Sequence, residues 1–376
     1  MKNLKREPKY PRLEISEANL LHNISHFRAK LRPETAMLVL LKANAYGFGM
    51  LELADDLQEL GVVDYFGIAY SQEGISLRAH GIRMPIIAFT AGVDSYPEFI
   101  NYGIEPNLPD MYSVRLFHDC VKARGLKHIP AQIKIDTGMH RTGFMERDLP
   151  ELMDFLAHND TIYVKGIYSH LAAADDPEMD PFSLEQARTF DRLSSQIHSF
   201  LGYQPIRHFY NTAGIERFAE LYPEYQYDMV RLGIGMYGLR TMPREDVLPI
   251  ATLRVKVVQI KHLDPSDGTV GYDRKGVLSR PSDIATVDIG YADGIDRRLG
   301  NGNARFLLNG HMVPTIGNIC MDAMMLDVTG VDVKEGDIVT IFGAEPRLED
   351  IAAQLGTIPY EVATSVSSRV VREIVR

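Results

Sequence analysis

The sequence MLVLLK, at residues 37–42, begins the part of the chain that decides its fold. Seven more short runs of similar character follow it, up to about Gly233, and stretches with helical spacing separate them. The eight runs are MLVLLK (37–42), VDYFGIA (63–69), MPIIAFT (84–90), GIEPNL (103–108), PAQIKID (130–136), IYVKGIYSH (162–170), PIRHFYN (205–211) and DMVRLG (228–233). Because strand-like runs that alternate with helices are typical of repeated βα units, eight of them predict an α/β fold, a TIM-type (β/α)8 barrel.

The stretches between these runs support the helical part of the prediction. In residues 183–201, apolar side chains recur at every third or fourth position, which places them on one face of a helix. A helix is also predicted before the first strand, with Ser16 as its N-terminal cap and Leu20 and Ile24 on its apolar face. An open doubly wound sheet is the alternative, but no G-x-G-x-x-G motif follows the first strand, where a dinucleotide site would lie.

The sequence changes in character after about Met242. Short β-type runs separated by Gly, Asp, Asn and Pro predict a mainly β second domain, so we expect one domain at 1–242 and another at 243–376. These runs include TLRVKVVQI (252–260), IATVDIG (284–290), ARFLLNG (304–310), AMMLDV (323–328) and DIVTIFG (337–343). No low-complexity linker separates the two domains, so we expect them to pack firmly against each other.

Composition narrows the classes of partner. The formal net charge of -10 argues against a nucleic-acid or anionic-membrane surface, since such partners attract an excess of Lys and Arg. The only cysteines, Cys120 and Cys320, fit a reducing compartment rather than a disulfide framework. The charged N-terminus is unlike a secretory signal, and no apolar run approaches membrane-spanning length. We therefore expect a cytoplasmic protein, and we expect no metal site.

Polar side chains follow several predicted strands at their carboxyl ends, where barrel enzymes place their active sites. They are Lys42, Tyr46, Lys134, Arg141, His170, Asn211, Thr212 and Arg231. A lysine at the end of a buried strand loses hydration, which lowers its pKa and favours a neutral amine that can form a Schiff base. The alternative for Lys42 is a side chain that reaches the rim or pairs with an acid.

Two glycine-containing turns follow the last two barrel strands. Residues 212–214, Thr-Ala-Gly, and residues 233–235, Gly-Ile-Gly, could present backbone N–H groups and a hydroxyl to a phosphate. Barrel enzymes often bind phosphate after strands seven and eight. Two ordinary strand-to-helix turns would carry the same glycines, so both interpretations stay open at this point.

Nine segments, in order along nearly the whole chain, resemble those of the alanine racemases. They are LKANAYGFG (41–49), KIDTGMHRTGF (134–144), YSHLAAADD (168–176), NTAG (211–214), MVRLGIGMYGL (229–239), VGYDRKG (270–276), IGYADGIDRRL (289–299), GNICMD (317–322) and PYEV (359–362). The resemblance implies a pyridoxal-phosphate enzyme that interconverts L-alanine and D-alanine and so supplies D-alanine for bacterial peptidoglycan.

The resemblance also implies roles for single residues. Lys42 holds the cofactor as a Schiff base and acts as acid/base on one face of the substrate, and Tyr272 does so on the other face. Arg231 meets the pyridine nitrogen, and His170 holds Arg231 in place. Tyr272 comes from the partner subunit in this family, which implies a homodimer in which each β domain completes the other chain's site.

The remaining site residues also follow from the resemblance. Cofactor contacts are expected from Tyr46, Arg141, His170, Asn211, Thr212, Arg231, Gly233, Ile234 and Tyr360. Substrate contacts are expected from Arg141, Tyr291 and the backbone of Met321. Lys134 stands where many members carry a carbamylated lysine, and its alternative is an unmodified amine.

Two departures from the family pattern affect this interpretation. Phe48 stands where many members have histidine, at a place that we expect behind the cofactor loop. After Tyr272 the chain reads Asp273-Arg274-Lys275-Gly276 in place of the frequent glycine and aromatic, which alters the charge near the substrate route. Such a variant resembles racemase domains fused behind a cell-wall peptide ligase, and this chain could be the racemase part of such a pair.

Other functions on the same scaffold remain as alternatives. They are a racemase of broader specificity, for example for serine, an amino-acid decarboxylase, and a pyridoxal-phosphate carrier without turnover. Arg231 argues against a decarboxylase, since decarboxylases of this fold generally place an acid at the ring nitrogen. The β domain argues against a carrier, because such proteins lack one.

Overall fold

The computed structural model describes residues 9–90, 92–239 and 246–376. The chain begins with strand β1 (Arg12–Ser16) and helix α1 (Glu17–Arg28). The Ser16 hydroxyl accepts a hydrogen bond from the Asn19 N–H at 3.2 Å, which satisfies one free donor of the first turn. The helix predicted before the first barrel strand, with Ser16 as its cap, is therefore confirmed.

Eight parallel strands form a closed barrel in chain order. They are β2 (Ala36–Leu40), β3 (Tyr65–Ile68), β4 (Ile86–Ala88), β5 (Ile104–Leu108), β6 (Ile129–Lys134), β7 (Ile162–Tyr168), β8 (Ile206–His208) and β9 (Met229–Leu232). Pairing of Ala36 with Met229 joins the first strand to the last. The predicted (β/α)8 barrel is confirmed.

Most of the barrel strands end earlier than predicted. β2 ends at Leu40 rather than Lys42, and β8 ends at His208 rather than Asn211. The polar residues that follow leave the hydrogen-bonded ladder and form turns above the barrel. Residues at these positions have a strand-like sequence pattern but form turns instead.

The barrel strands alternate with helices. These are α2 (Lys42–Tyr46), α3 (Met50–Leu60), α4 (Ser71–Ala79), α5 (Tyr96–Tyr102), α6 (Met111–Ala123), α7 (Leu149–Ala157), α8 (Asp180–Leu201) and α9 (Thr212–Phe218). The helix predicted over 183–201 is α8, which buries Ala187, Phe190, Leu193 and Ile197. In the described ranges, no helix has both the length and the apolar character needed to cross a bilayer.

The second half of the chain is mainly β, as predicted. Its strands are β10 (Ala251–Leu263), β11 (Thr269–Val270), β12 (Gly276–Val277), β13 (Ser282–Val287), β14 (Arg305–Leu308), β15 (His311–Pro314), β16 (Met324–Asp327), β17 (Ile338–Phe342) and β18 (Val371–Val375). Two helices, α10 (Leu348–Leu355) and α11 (Pro359–Ser365), precede the last strand. The five runs that we named as strands are all present, whereas β1, β11, β12, β15, β18 and both helices were not predicted.

Strand β1 lies in the sheet of the second half rather than in the barrel. It pairs antiparallel with β10 and parallel with β18, so the order along this sheet is β15-β14-β17-β10-β1-β18, with β13 and β16 attached through β10. Residues 12–16, within the first expected domain, thus contribute to the second sheet. The expected boundary between residues 242 and 243 lies outside the described residues.

The two halves share one apolar core. A continuous cluster of buried side chains runs from Leu13 and Ile15 through the barrel and the second sheet to Val370. A separate small layer inside the barrel contains Leu38, Ile87 and Met229. Burial of apolar surface therefore fixes the second half against the barrel, in agreement with the expected firm packing.

Candidate active site at the carboxyl ends of the barrel strands

Lys42 begins the turn that follows strand β2, and the backbone of this turn is left-handed. The φ and ψ angles are 53° and 50° at Ala43, 52° and 47° at Asn44, and 54° and 51° at Ala45, and φ is 55° at Tyr46. A left-handed helical conformation costs roughly 1–2 kcal/mol for each L-residue. Such strain persists only where surrounding contacts fix it, and it is concentrated at functional sites.

Contacts from several elements fix this left-handed turn. The Asn44 side chain accepts a hydrogen bond from the Met50 N–H at 2.9 Å. An ideal Cβ at Gly47 would lie 2.0 Å from the carbonyl oxygen of Ala363 in α11, so only glycine fits there. Phe48 is buried and stacks on Tyr237, with 5.1 Å between ring centroids. Phe48 therefore packs behind the turn, as expected from the sequence.

The Lys42 amine has a partly buried, electropositive environment. Its Nζ lies 5.8 Å from the centre of the Tyr46 ring, and in the described part of the chain it has no hydrogen bond or ion pair. Burial and the nearby Arg141 lower the pKa of Lys42, while Glu73 opposes this shift. A desolvated amine that is more readily neutral is suited to nucleophilic attack on a carbonyl carbon.

Arg231, in the last barrel strand β9, is buried at the barrel mouth. Its Nη1 donates to the carbonyl oxygen of His208 at 2.8 Å, and its Nη2 donates to those of Ser169 at 2.5 Å and Phe209 at 3.0 Å. Burial lowers the pKa of Arg231 to about 10, so it remains a cation at neutral pH. None of the described residues accepts a hydrogen bond from its Nε–H, which is therefore available to a ligand.

Two histidines flank the Arg231 guanidinium. Nδ1 of His208 lies 3.1 Å from Nη1, and Nδ1 of His170 lies 3.4 Å from Nη2. Burial and the charge of Arg231 keep the pKa of both imidazoles well below its usual range, so both are neutral and can accept from the guanidinium. His170 was expected beside Arg231, whereas His208 was not predicted. A histidine inside the apolar run PIRHFYN was the available signal.

Lys134, at the end of strand β6, is also buried near this cluster of cations. Its Nζ donates to the Thr142 hydroxyl at 2.7 Å. Burial and then the charges of Arg141 and Arg231 lower the pKa of Lys134 to about 8. Its amine is therefore neutral in a larger fraction of molecules than an ordinary lysine at the same pH.

Tyr46, Thr212 and Gly233 converge on one corner of the barrel mouth. The Thr212 hydroxyl accepts from the Gly233 N–H at 2.9 Å. An ideal Cβ at Gly233 would lie 3.3 Å from the Tyr46 hydroxyl oxygen and 3.6 Å from Thr212 Oγ1. The Tyr360 ring lies 6.1 Å from that of Tyr46, and burial raises the pKa of both phenols, to about 12 for Tyr360. Neutral hydroxyl groups in such a corner can donate to an anionic oxygen.

Ile234 and Asn211 border this corner. Ile234 is buried and begins the 3-10 turn Ile234–Tyr237. The Asn211 side chain is the N-terminal cap of α9, because its Oδ1 accepts from the Gly214 N–H at 3.0 Å. Its Nδ2 donates to the Leu171 carbonyl oxygen at 3.2 Å. Asn211 therefore has a structural role independent of any ligand.

Tyr272, Tyr291 and Met321 lie elsewhere, on the surface of the second half. Their exposed fractions are 69%, 44% and 53%. Over the described ranges, no hydrogen bond, ion pair or ring contact joins them to Lys42 or Arg231. Within one chain, the structure thus groups the barrel residues and leaves these three apart.

The three exposed residues belong to neighbouring turns. Asn318 donates to the Tyr272 carbonyl oxygen at 3.2 Å and to the Asp273 carboxylate at 3.0 Å. The Ala292 N–H donates to the Met321 carbonyl oxygen at 3.0 Å, which joins the turns of Tyr291 and Met321. The side chains of Tyr272, Tyr291 and Met321 therefore form one exposed set, named here the exposed tyrosine surface.

Both halves of the chain match profiles of known families. Residues 15–241 match the alanine racemase N-terminal domain, and residues 250–374 match the alanine racemase C-terminal domain. The chain is 34% identical to the alanine racemase of Synechocystis, over 96% of this chain and 98% of that protein. The alanine racemase of Clostridium difficile 630 has a similar structure, with a TM-score of 0.89 and 32% identity over 98% of this chain and 97% of that one.

A second structural comparison concerns a protein with its ligand in place. The alanine racemase of Bartonella henselae, with covalently bound pyridoxal phosphate, has a TM-score of 0.84 and 28% identity, over 98% of this chain and 100% of that one. The matched regions include the barrel, the second half and the segments that carry the site. This chain therefore belongs to the alanine racemase family.

Proposed function

We propose that this protein is a pyridoxal-phosphate-dependent racemase that interconverts L-alanine and D-alanine. The observation that carries the proposal is the Lys42 amine, which is partly buried, has no hydrogen-bond partner in the described chain, and is presented by a strained turn at the barrel mouth. A structural lysine would be paired or exposed. An amine held in this way is suited to a Schiff base with the cofactor aldehyde.

The other barrel residues fit the same cofactor. The corner of Tyr46, Thr212 and Gly233 offers hydroxyl groups and a close backbone approach to a phosphate, and Tyr360 packs beside it. The Nε–H of Arg231, which has no acceptor among the described residues, fits a pyridine nitrogen, which would accept from it. Since arginine cannot be deprotonated in this pH range, that nitrogen stays unprotonated. The bound cofactor supplies the electron sink that makes the substrate α-proton acidic.

Racemisation needs two groups that exchange protons on opposite faces of the substrate α-carbon. Lys42 holds or releases a proton at Nζ on one face. We assign the second role to the phenolic oxygen of Tyr272, which is exposed and, within the described part of the chain, has no hydrogen bond or ring contact with Lys42 of its own chain. The exposed tyrosine surface would then come from a partner subunit in a homodimer, and each second half would complete the site of the other chain.

The cations of the site suit an amino-acid carboxylate. Arg141 is exposed at the barrel mouth and close enough to lower the pKa of Lys42, Lys134 and His170 by its charge. We assign it to the substrate carboxylate, together with the backbone of Met321, while Tyr291 lines the route to the site. A small pocket at this place would favour alanine over larger amino acids by steric exclusion.

Two further assignments concern modification and biological role. Carbamylation of Lys134 would replace a cation by an anion and relieve its repulsion from Arg141. The assignment of the product D-alanine to peptidoglycan synthesis, and of the protein to the cytoplasm, rests on family membership and on the sequence composition. The role in peptidoglycan synthesis depends on the racemase activity itself.

The experiment that tests the activity follows the optical activity of each L-amino acid with the purified holoenzyme by circular dichroism. We expect loss of the L-alanine signal, with L-serine as the test of broader specificity. Borohydride reduction and peptide mapping should find the cofactor on Lys42. Cofactor fixed to a different residue, or unchanged optical activity of L-alanine, would refute the proposal.

A mixed dimer tests the shared site. Lys42→Ala and Tyr272→Phe should each inactivate a homodimer, but a heterodimer of the two variants contains one intact site if Tyr272 comes from the partner. Random pairing should then restore roughly a quarter of wild-type activity. If Lys42 and Tyr272 of one chain acted together, both sites of the heterodimer would be defective. An absence of recovered activity would therefore contradict the shared site.

A further inference from the structure

Glu73, near the start of helix α4, binds the turn that carries Lys42. Its Oε1 accepts a hydrogen bond at 2.6 Å from the N–H of Ala43, the residue next to Lys42. Its Oε2 accepts from the N–H groups of Ala69 at 2.7 Å and Tyr70 at 3.1 Å. One carboxylate therefore joins the carboxyl ends of two neighbouring barrel strands, β2 and β3.

The two oxygens of Glu73 have different functions. Oε2 satisfies free N–H groups at the start of α4, as a glutamate at the third helical position often does. Capping explains this contact completely. It does not explain why Oε1 reaches the amide of Ala43, which belongs to a different element.

The position of Glu73 is fixed by tight packing at the next residue. An ideal Cβ at Gly74 would lie 2.2 Å from Cδ1 of Ile104 and 2.9 Å from Cδ1 of Ile68. Helix α4 therefore approaches the barrel as closely as a glycine allows. The carboxylate of Glu73 is held at the level of the strained turn.

We propose that Glu73 is a positioning residue of the Lys42 site, whose carboxylate holds the Ala43 amide and so keeps the left-handed turn in the conformation that presents the Lys42 amine to the barrel mouth. The inference rests on the proposed role of Lys42 in cofactor binding. Without this contact the strained backbone relaxes toward ordinary conformations. The fraction of molecules ready to bind the cofactor then falls, and the apparent affinity falls with it.

Glu73 is also the anionic neighbour of Lys42. The charge of Arg141 lowers the pKa of Lys42 and that of Glu73 raises it, while the Tyr46 phenol and the neutral His170 imidazole are the other titratable groups nearby. Loss of the Glu73 charge should lower the pKa of Lys42 further. Loss of a cap remote from Lys42 has no such effect. The pH dependence of Lys42 reactivity therefore reports whether the Glu73 carboxylate lies beside the turn, and the cofactor affinity reports whether it positions the turn.

The test uses Glu73→Gln and Glu73→Ala, with Asp350→Asn as the matched control. Asp350 caps α10 by accepting from the Arg347 N–H at 3.0 Å, at an exposed position. Three properties are measured on each full-length protein. They are the thermal midpoint, the affinity of the apoprotein for pyridoxal phosphate, and the pH profile of Lys42 acetylation by trace acetic anhydride, read by peptide mapping.

We expect Glu73→Ala to weaken cofactor affinity by roughly 100-fold, the scale of a lost hydrogen bond to a charged group. Glu73→Gln retains one acceptor oxygen for two sets of donors, so its cofactor affinity should fall less, by about 10-fold. Both variants should shift the Lys42 acetylation profile to lower pH. The Asp350→Asn protein also loses a helix cap, so its thermal midpoint should fall by a similarly small amount. Its affinity for pyridoxal phosphate and its Lys42 acetylation profile should remain those of the wild type.

Wild-type affinity and an unshifted Lys42 profile in folded Glu73 variants would show that Glu73 only caps α4, and the inference would be wrong. Acetylation needs no cofactor, so this result can be obtained even if the wild-type protein binds no pyridoxal phosphate. That second outcome would refute the proposed function instead. The two failures are therefore distinguishable.

Discussion

The guanidinium of Arg372 donates two hydrogen bonds to the carbonyl oxygen of Gly47, from Nε at 3.2 Å and from Nη2 at 2.9 Å. The same group donates to the carbonyl oxygens of Val366, Ser367 and Val370 at 2.6 to 2.7 Å. Arg372 lies in β18, the last strand, and Gly47 ends the turn of Lys42. The end of the second half is thus joined directly to the turn that presents the proposed cofactor lysine.

Replacement of Arg372 should therefore affect both stability and the site. Arg372→Ala leaves several buried carbonyl oxygens without a donor, and a hydrogen bond to a charged group contributes about 1.5–3 kcal/mol, so we expect a loss of that order in the free energy of unfolding. Arg372→Lys keeps the charge but lacks the planar guanidinium, so it should retain only part of the stability that Arg372→Ala loses. Denaturant unfolding at fixed protein concentration measures both.

A matched control for Arg372 is Arg305→Ala. The exposed Arg305 side chain donates to a single carbonyl oxygen, that of Met312, at 3.1 Å. Its loss should change the free energy of unfolding by less than about 0.5 kcal/mol, as is usual for surface substitutions. Equal losses for the Arg372 and Arg305 variants would show that the contact with Gly47 stabilises nothing.

Tyr272→Phe should reduce racemisation by roughly 10²–10⁴-fold, the usual scale for loss of one general acid/base. Proton abstraction from L-alanine should be affected most, which isotope exchange at the α-carbon in each direction can measure. Tyr112→Phe is the matched control, since Tyr112 is similarly exposed, at 65%, on barrel helix α6. Full activity of the Tyr272→Phe enzyme would remove Tyr272 from the mechanism.

The barrel was predictable because buried parallel strands are short apolar runs, and their count alone distinguishes a closed barrel from most alternatives. The second sheet was less predictable. β1 and β18 are neighbours although they lie at opposite ends of the chain, and local patterns carry no information about such pairing. The resemblance located Lys42 and Arg231, and the structure brings them to the same barrel mouth.

The residues that support the site could not be found in the same way. Glu73, His208 and Arg372 act through contacts with backbone groups or side chains that are distant in the sequence. Each of them also has an ordinary explanation in its own segment, as a helix cap, a core histidine or a charged strand residue. Only the folded geometry shows which backbone or side chain each one binds.

Lys134 should be sensitive to pH and to carbon dioxide. Its pKa is lowered from 10.5 to about 8, so below pH 8 the folded protein contains a buried cation beside Arg141 and Arg231. The folded state binds fewer protons than the unfolded state between these two values, and stability should therefore rise with pH from about 8 to 10.5. Carbamylation requires the neutral amine, and it should stabilise the protein by removing the cation.

Bicarbonate is the variable that tests this expectation. Addition of bicarbonate near pH 8 should raise the thermal midpoint of the wild-type protein, and ¹³C-labelled bicarbonate should give a carbamate signal in the NMR spectrum. Lys134→Met provides the control, because it has no amine to modify and should not respond. An unmodified Lys134 at saturating bicarbonate would exclude carbamylation.

A chain of buried hydrogen bonds connects Arg231 with the interior of the barrel, and Gly166 makes room for it. His208 Nε2 lies 3.0 Å from the Gln132 side-chain oxygen, and Gln132 donates to Glu105 at 2.6 Å. Because Gln132 offers an oxygen, His208 carries its proton on Nε2 and its Nδ1 accepts from Arg231. An ideal Cβ at Gly166 would lie 2.0 Å from that same oxygen.

Gly166→Ala should therefore displace Gln132 and leave the buried His208 N–H without its acceptor, at a cost of about 1–3 kcal/mol in the free energy of unfolding. Gln132→Ala alone should have a similar cost. In the double variant the new methyl group occupies space that Gln132 has left, so the combined loss should be clearly smaller than the sum of the two single losses. Denaturant unfolding of the four proteins gives this coupling, and strictly additive losses would show that Gly166 does not act through Gln132.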